Sequence, residues 1–297
     1  MTRPQIIGYI GLGDIGAPMA ERIVRAGWPL VVWNRTAEKS RPLVEAGAQA
    51  AASPAELAAE CDLVFTCLGS VSAMHDVLTG DSGILKAPDR RVRLVVDNST
   101  VPPADAKVFA KSLAEASIGF IDAPVSGGAV GARAGTLAVM VGGDPTDVAQ
   151  AEPVLKTFAS KITHLGPVGA GQVMKACNQV LNFGTMAALA EALALGEQYG
   201  LEPANIVEAV SGGFADSNVC REFSRSLAQD DISPVRLLVE TLEASYKGNL
   251  QTDLAGRLGI LMKDLSMAMD MARIHGVPLP VISHFDSVFR LIHHLKE

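Results

Sequence analysis

Gly11-Leu12-Gly13-Asp14-Ile15-Gly16 stands directly after a short β-type run, Gln5 to Ile10, and directly before a helical one, Pro18 to Ala26. G-x-G-x-x-G in that setting constrains the fold more than any other feature of the chain. The first glycine makes a tight turn, the second lets backbone approach a pyrophosphate, and the third lets helix and strand pack closely. The unpaired N–H groups and positive dipole end of the following helix then attract phosphate. Asp14 is unfavourable beside a pyrophosphate, so its side chain is expected to point to solvent, with only its backbone facing a ligand.

The loop opens a series. Leu30 to Trp33, Asp62 to Cys67, Arg93 to Asp97, Ile118 to Asp122 and Leu137 to Val141 are short apolar runs of buried-strand length, with helical stretches such as Ala104 to Ala116 between several of them. Strands alternating with helices predict βαβ units and a parallel sheet covered on both faces. After about Gly166 the pattern changes to long Ala/Leu-rich helical runs. Val173 to Tyr199 is apolar almost all round, the signature of a buried helix, and further helices are expected at Pro203 to Ser211, Cys220 to Ala228, Arg257 to His275 and Pro280 to Leu295. The fold class is therefore α/β. A Rossmann domain with a doubly wound, mostly parallel sheet (1–166) is followed by an all-helical domain (167–297), joined at the turn-rich Gly166-Pro167-Val168-Gly169.

With 48% hydrophobic and 19% charged residues and a formal net charge of -7, the chain has a globular balance, and its basic residues form no stripe for nucleic acid. Cys61, Cys67, Cys177 and Cys220 lie far apart without metal-like spacing, which predicts reduced thiols and no metal site. Met186 to Gly196, interrupted by Glu191 and followed by Glu197, is too short and charged to span a bilayer, and the start of the chain has no signal-peptide pattern. A cytoplasmic location is the resulting expectation.

Strand two ends at Trp33-Asn34-Arg35-Thr36, where an NAD site usually carries an acid for the ribose hydroxyls. A guanidinium can instead pair with a 2′-phosphate, and the Asn amide and Thr hydroxyl can donate to it. NADP is thereby favoured, with NAD possible should Arg35 merely stack on the adenine.

Three more segments carry chemistry. In Asp122-Ala123-Pro124-Val125-Ser126-Gly127-Gly128, a hydroxyl beside two glycines offers a donor and approachable backbone N–H groups, a nest suited to a carboxylate. In Gly169-Ala170-Gly171-Gln172-Val173-Met174-Lys175-Ala176-Cys177-Asn178-Gln179, Lys175 and Asn178 share one helix face. Lys175 sits in a nearly charge-free apolar stretch, where an ammonium needs a reason. Burial and a helix N-terminus both favour its neutral amine, the form that takes a proton. The third segment is Lys263-Asp264-Leu265 on a late helix.

Taken together and in this order, from about Ile6 to about Pro280, these motifs resemble the β-hydroxyacid dehydrogenases, the family of 3-hydroxyisobutyrate dehydrogenase and tartronate semialdehyde reductase. The resemblance implies a nicotinamide-dependent oxidoreductase acting between a small β-hydroxy acid and its semialdehyde. It implies a dinucleotide held by Gly11, Leu12, Gly13, Asp14, Ile15, Gly16, Asn34, Arg35 and Thr36. Leu68 would line the crevice, Thr100 would contact the nicotinamide ribose, and Lys263 would reach the cofactor or substrate, supported by Asp264. Ser126, Gly127 and Gly128 would bind the substrate carboxylate, Lys175 would be the acid/base, and Asn178 would orient substrate and lysine. Gln179 stands where the family often has a second Asn and receives no role.

Departures from the pattern are Ile15 in place of Met, the segment from Asp230 to Asp253, which only approximates the family's run, and an end at Glu297 soon after His293-His294. Two other readings are an imine reductase, which Lys175 and the Ser126 to Gly128 nest argue against because an uncharged imine offers the nest no carboxylate, and a dinucleotide-binding sensor without turnover. Partners are expected to be a small anionic substrate and, given the all-round apolar helix, further copies of the chain in a homodimer or homotetramer. Neither nucleic acid nor membrane is expected.

Overall fold

A computed structural model describes residues 5–248 and 255–294, with side chains described outside 255–261 and 292–294. The far end of the atypical 230–253 segment and the His293-His294 side chains lie outside the described residues. The chain divides into two compact units, 1–175 and 176–297. The division falls inside a helix instead of at the glycine-rich joint near residue 166.

The first unit alternates strands and helices: β1 (Ile7–Ile10), α1 (Gly16–Arg25), β2 (Leu30–Trp33), α2 (Arg41–Glu45), β3 (Gln49–Ala50), α3 (Pro54–Glu60), β4 (Leu63–Thr66), α4 (Val71–Thr79), β5 (Leu94–Asp97), α5 (Pro103–Ala114), β6 (Gly119–Asp122), β7 (Val125–Ser126), α6 (Gly128–Ala134), β8 (Leu137–Gly142), α7 (Pro145–Leu155) and β9 (Ala159–Gly166). One sheet runs β3-β2-β1-β4-β5-β6-β8-β7, with β9 on β8. The pairs from β3 through β6 are parallel, as is β8 with β9, whereas β8 meets β6 and β7 antiparallel. The order 3-2-1-4-5-6 is that of a Rossmann fold, with the switch point between β1 and β4.

Strands buried on both faces explain the near-continuous apolar runs. Ile7, Tyr9, Leu30, Val32, Leu94, Val96 and Ile121 face one core, with Met19 and Ile23 of α1 and Val154 and Leu155 of α7. The alternate positions Ile10, Val31, Val95 and Phe120 face a second, with Leu57 of α3, Leu78 of α4 and Phe109 of α5. A period of two along each strand splits the apolar residues between the faces, so nearly every position must be apolar.

The last residues of β1, β4, β5 and β6 form one rung, Ile10, Thr66, Asp97 and Asp122, in register. All four are fully buried. The Asp97 Oδ1 accepts from the Thr66 hydroxyl at 2.8 Å and the Ser99 N–H at 3.0 Å. Burial dominates nonetheless and, with the Asp122 charge adding to it, pushes the Asp97 carboxyl up to about 6, against the lowering effect of the Ser99 and Thr66 hydrogen bonds.

In the second unit, α8 (Ala170–Gln198) enters from the first and is followed by α9 (Pro203–Val210), α10 (Asn218–Ala228), α11 (Pro234–Tyr246), α12 (Ala255–Ile274) and α13 (Pro280–His294). Phe183 and Leu193 of α8, Phe223 of α10, Leu238 of α11, Leu265 of α12 and Phe285 of α13 share its core. Within the atypical segment, Ser233 caps α11 by accepting the Arg236 N–H, and Pro234 occupies the first turn, where its missing donor costs nothing. The expectation of a fully buried α8 is corrected: Val173, Leu181 and Leu195 are 45%, 68% and 64% exposed. The other helices of one chain cover only part of its circumference. No helix among the described residues is long and apolar enough to cross a membrane.

Because Asp97 holds its proton more tightly folded than unfolded, its burial costs stability above about pH 6, and the cost disappears as pH falls towards the ordinary carboxylate value of 3.8. Denaturant melts of Asp97→Asn and the parent at pH 4 and pH 7 should therefore differ, with the variant gaining up to about 3 kcal/mol relative to the parent at the higher pH. An identical difference at both pH values would remove Asp97 from the pH response.

Candidate active site

The three loop glycines are required for three separate reasons. Gly11 has φ +98, and a Cβ there would overlap the Cys67 carbonyl oxygen in the loop after β4. A Cβ on Gly16 would overlap the Gly11 carbonyl oxygen, while one on Gly13 would meet nothing within 4 Å. Gly13 is thus spared a side chain by nothing inside the protein, and the open space above it is what a pyrophosphate needs. Ile15, the N-cap of α1, offers no side-chain acceptor, and the first turn has no acid. Its amide end is left for an external anion. Asp14 is exposed.

Asn34 has a structural role that its position at the strand end did not suggest. Its Oδ1 accepts the Leu12 N–H at 2.9 Å and its Nδ2 donates to the Thr36 carbonyl at 2.8 Å, so it braces the glycine loop against the end of β2. Arg35 and Thr36 are exposed beside it. Further along the carboxyl edge, the Leu68 N–H donates to the Ser99 hydroxyl at 2.8 Å, and half-buried Thr100 follows Ser99. Open space at Gly13, an uncapped helix end and an exposed guanidinium at the end of β2 together fit a dinucleotide.

The segment after β6 turns through two consecutive left-handed glycines, Gly127 at φ 128 and Gly128 at φ 60. Only glycine tolerates both without strain. Ser126, half-buried, ends β7 opposite Ala138. Lys175, only 7% exposed, donates from Nζ to the carbonyl of Val125 at 3.0 Å. Residues 50 apart in sequence are thereby joined, and the ammonium comes to the backbone that leads into Ser126.

In the second unit, the Asn178 Nδ2 donates to the Gln179 Oε1 at 3.0 Å, and the Gln179 Nε2 donates to the Asp264 Oδ2 at 2.9 Å. Lys263 Nζ lies 3.7 Å from the Asp264 Oδ1. Gln179, without a role on sequence grounds, is the central member of this chain of contacts.

Sequence reasoning also passed over Asp122 and Gln172. The Asp122 carboxylate accepts the Gly169 N–H at 2.6 Å and the Gln172 N–H at 2.8 Å. Burial raises its carboxyl above the ordinary value, opposed by those donors. Both residues lie inside motifs that carry other chemistry. The one available signal was a polar residue at the end of an apolar run, and it carries no information about its partner.

Residues 6–166 match the family model for the NAD binding domain of 6-phosphogluconate dehydrogenase, and residues 169–238 that described as NAD-binding of NADP-dependent 3-hydroxyisobutyrate dehydrogenase. The mouse mitochondrial 3-hydroxyisobutyrate dehydrogenase is 34% identical over 291 residues, covering 96% of this chain and 81% of that protein. The chain belongs to the β-hydroxyacid dehydrogenase family. It is an NAD(P)-dependent oxidoreductase of that family, and the nicotinamide dinucleotide is its cofactor. Among solved structures, a 3-hydroxyisobutyrate dehydrogenase from Salmonella typhimurium superposes with a TM-score of 0.77 at 27% identity, covering 96% of this chain and 93% of that one. The Mycobacterium tuberculosis 3-hydroxyisobutyrate dehydrogenase, solved with L-serine, gives 0.73 at 28%, covering 99% and 100%. An imine reductase from Pseudomonas sp., 19% identical with a TM-score of 0.64 and covering 99% and 95%, shares the fold alone.

The glycines separate binding from folding. Gly13→Ala should keep the parental melting temperature and weaken dinucleotide binding at least about tenfold, measured by quenching of intrinsic fluorescence, because its methyl occupies only ligand space. Gly16→Ala should lose stability and binding together. Unchanged affinity in Gly13→Ala would move the pyrophosphate elsewhere.

Proposed function

We propose that this enzyme interconverts a small β-hydroxy acid and its semialdehyde with NADP(H), using Lys175 as the acid/base. The observation that carries this reading is the Lys175 ammonium, buried and held 3.0 Å from the carbonyl of Val125, next to Ser126. A solvated surface lysine would not be drawn under the strand edge and tethered there.

In this reading Ser126 and the backbone of Gly127 and Gly128 hold the substrate carboxylate. A bound nicotinamide supplies the hydride acceptor at C4 in the oxidising direction and the donor in the reverse. In the oxidising direction Lys175, as the neutral amine, takes the proton from the substrate hydroxyl as the carbon–oxygen double bond forms, and as the ammonium it returns that proton when the semialdehyde is reduced. Its four-carbon stem and three rotatable donors let it move between the Val125 carbonyl and the hydroxyl of a substrate whose carboxylate is held at Ser126. Asn178, three residues further along α8, orients the substrate and the lysine, and Lys263, supported by Asp264, reaches the cofactor or substrate as the family resemblance implies.

The glycine loop from Gly11 to Gly16 and the Asn34 brace hold the dinucleotide, with Leu68 and Thr100 at its nicotinamide end. Exposed Arg35, with no acid at the end of β2, favours NADP over NAD through the 2′-phosphate. The exposed apolar residues Val173, Leu181 and Leu195 on α8 support assembly into a homodimer or homotetramer, which light scattering measures.

A spectrophotometric panel of small hydroxy acids and semialdehydes, including 3-hydroxyisobutyrate, run with both NADP(H) and NAD(H), should find carboxylate-bearing substrates turned over, and faster with NADP. Turnover of cyclic imines alone would favour an imine reductase, and nucleotide binding with no absorbance change would favour a sensor. Lys175→Ala should leave dinucleotide affinity within about twofold and lower kcat at least about a hundredfold. Near-normal turnover in that variant would exclude Lys175 as the acid/base.

A further inference from the structure

The first turn of α8 is held from two sides, by two residues that the preceding mechanism does not use. On one side is Asp122, fully buried at the end of β6, whose oxygens accept the Gly169 and Gln172 N–H groups at 2.6 and 2.8 Å. A carboxylate at the positive end of a long helix satisfies donors that the helix cannot satisfy itself. On the other side is Gln172, also fully buried, which reaches the loop after β5. Its Nε2 donates to the Ser99 carbonyl at 2.8 Å and its Oε1 accepts the Val101 N–H at 3.2 Å. Between the contacts, Gly171 has no room for a side chain. A Cβ there would overlap the Met140 carbonyl oxygen and stand 2.8 Å from an Asp122 carboxylate oxygen.

These contacts lie three to six residues before Lys175, within two turns of helix. The same segment that supplies Asp122 also supplies the Val125 carbonyl to which the Lys175 Nζ donates. We propose that Asp122 and Gln172 are positioning residues for Lys175. They fix the rotation and depth of the first turn of α8 between the loops after β5 and β6, so that a flexible four-carbon side chain delivers its nitrogen at Ser126. The inference rests on the reading of Lys175 as the acid/base. Its physical basis is that a misplacement of about 1 Å at a reacting group costs on the order of a hundredfold in rate. A helix held at one point of its first turn can still pivot, whereas one held on two sides cannot.

The test uses Asp122→Asn, which keeps the volume but replaces one acceptor oxygen with an NH2 donor, and Gln172→Met, which keeps the length and loses both side-chain hydrogen bonds. Modification of Lys175 by an amine-reactive ester, followed by mass spectrometry, reports its confinement without any substrate. In both variants that rate should rise at least about fivefold while the exposed Lys111 reacts as before. With the β-hydroxy acid turned over fastest in the panel, kcat should fall at least about tenfold, with dinucleotide affinity within about twofold of the parent. Added to Lys175→Ala, neither substitution should lower kcat further, since both act through the missing amine.

Unchanged Lys175 modification in the variants, or kcat losses that add to that of Lys175→Ala, would overturn the proposal and leave Asp122 a structural cap. Should Asp122→Asn fail to fold, Gln172→Met decides on the same readouts. Near-normal turnover of Lys175→Ala, with raised modification in the variants, would locate the fault in the reading of Lys175 and not in the pinning of the helix.

Discussion

A parallel sheet with apolar layers on both faces can present polar chemistry only along its carboxyl edge. Within the first unit, every group that the candidate site draws on lies at or just beyond that edge or in the first turns of α8. The glycine loop follows β1, Asn34 and Arg35 follow β2, Leu68 follows β4, Thr100 follows β5, and Ser126 to Gly128 follow β6. The alignment of the strands is what brings together residues more than a hundred positions apart. It depends on strand registers that a one-residue slip would destroy, because the slip exchanges the two cores.

That edge is not purely polar surface. Thr66, Asp97 and Asp122 are completely buried along it, and two of them are carboxylates pushed up by desolvation. Natural cores hold such groups only where hydrogen bonds offset much of the cost. Here the donors are local hydroxyls and backbone N–H groups for Asp97, and the amino end of α8 for Asp122. Polar atoms placed under the loops thus convert a flat strand edge into a set of anchored loops, and the anchoring of α8 is what gives Lys175 a defined place.

Much of this was legible from local pattern. The expected second strand, Leu30 to Trp33, agrees with β2 at both ends, and the long apolar run expected at 173–199 is α8 at 170–198. Strong periodicity and glycine at defined turn positions are local signals, and local signals survive without knowledge of the rest of the chain. Where they fade, the reading missed elements. The two-residue strands β3 and β7 are too short to show a period, and α11 begins in a segment judged only by its departure from a family pattern, although Ser233-Pro234 is an ordinary helix start. Asn34 was assigned to a ligand by its place at a strand end, and its contacts with the Leu12 N–H and the Thr36 carbonyl could not be read from that place.

The sequence by itself determined the kind of fold, the nicotinamide dinucleotide as cofactor and the family, since each follows from the order of residues over a few turns of chain. Tertiary structure alone decided that Lys175 is tethered at Val125, that Asp122 and Gln172 secure the helix carrying it, and that Gln179 joins Asn178 to Asp264. Hydropathy and spacing report whether a residue prefers burial. They contain no term for which buried donor meets which acceptor across separations of 47 to 85 residues, and that pairing is set only when the sheet and the helices close around it.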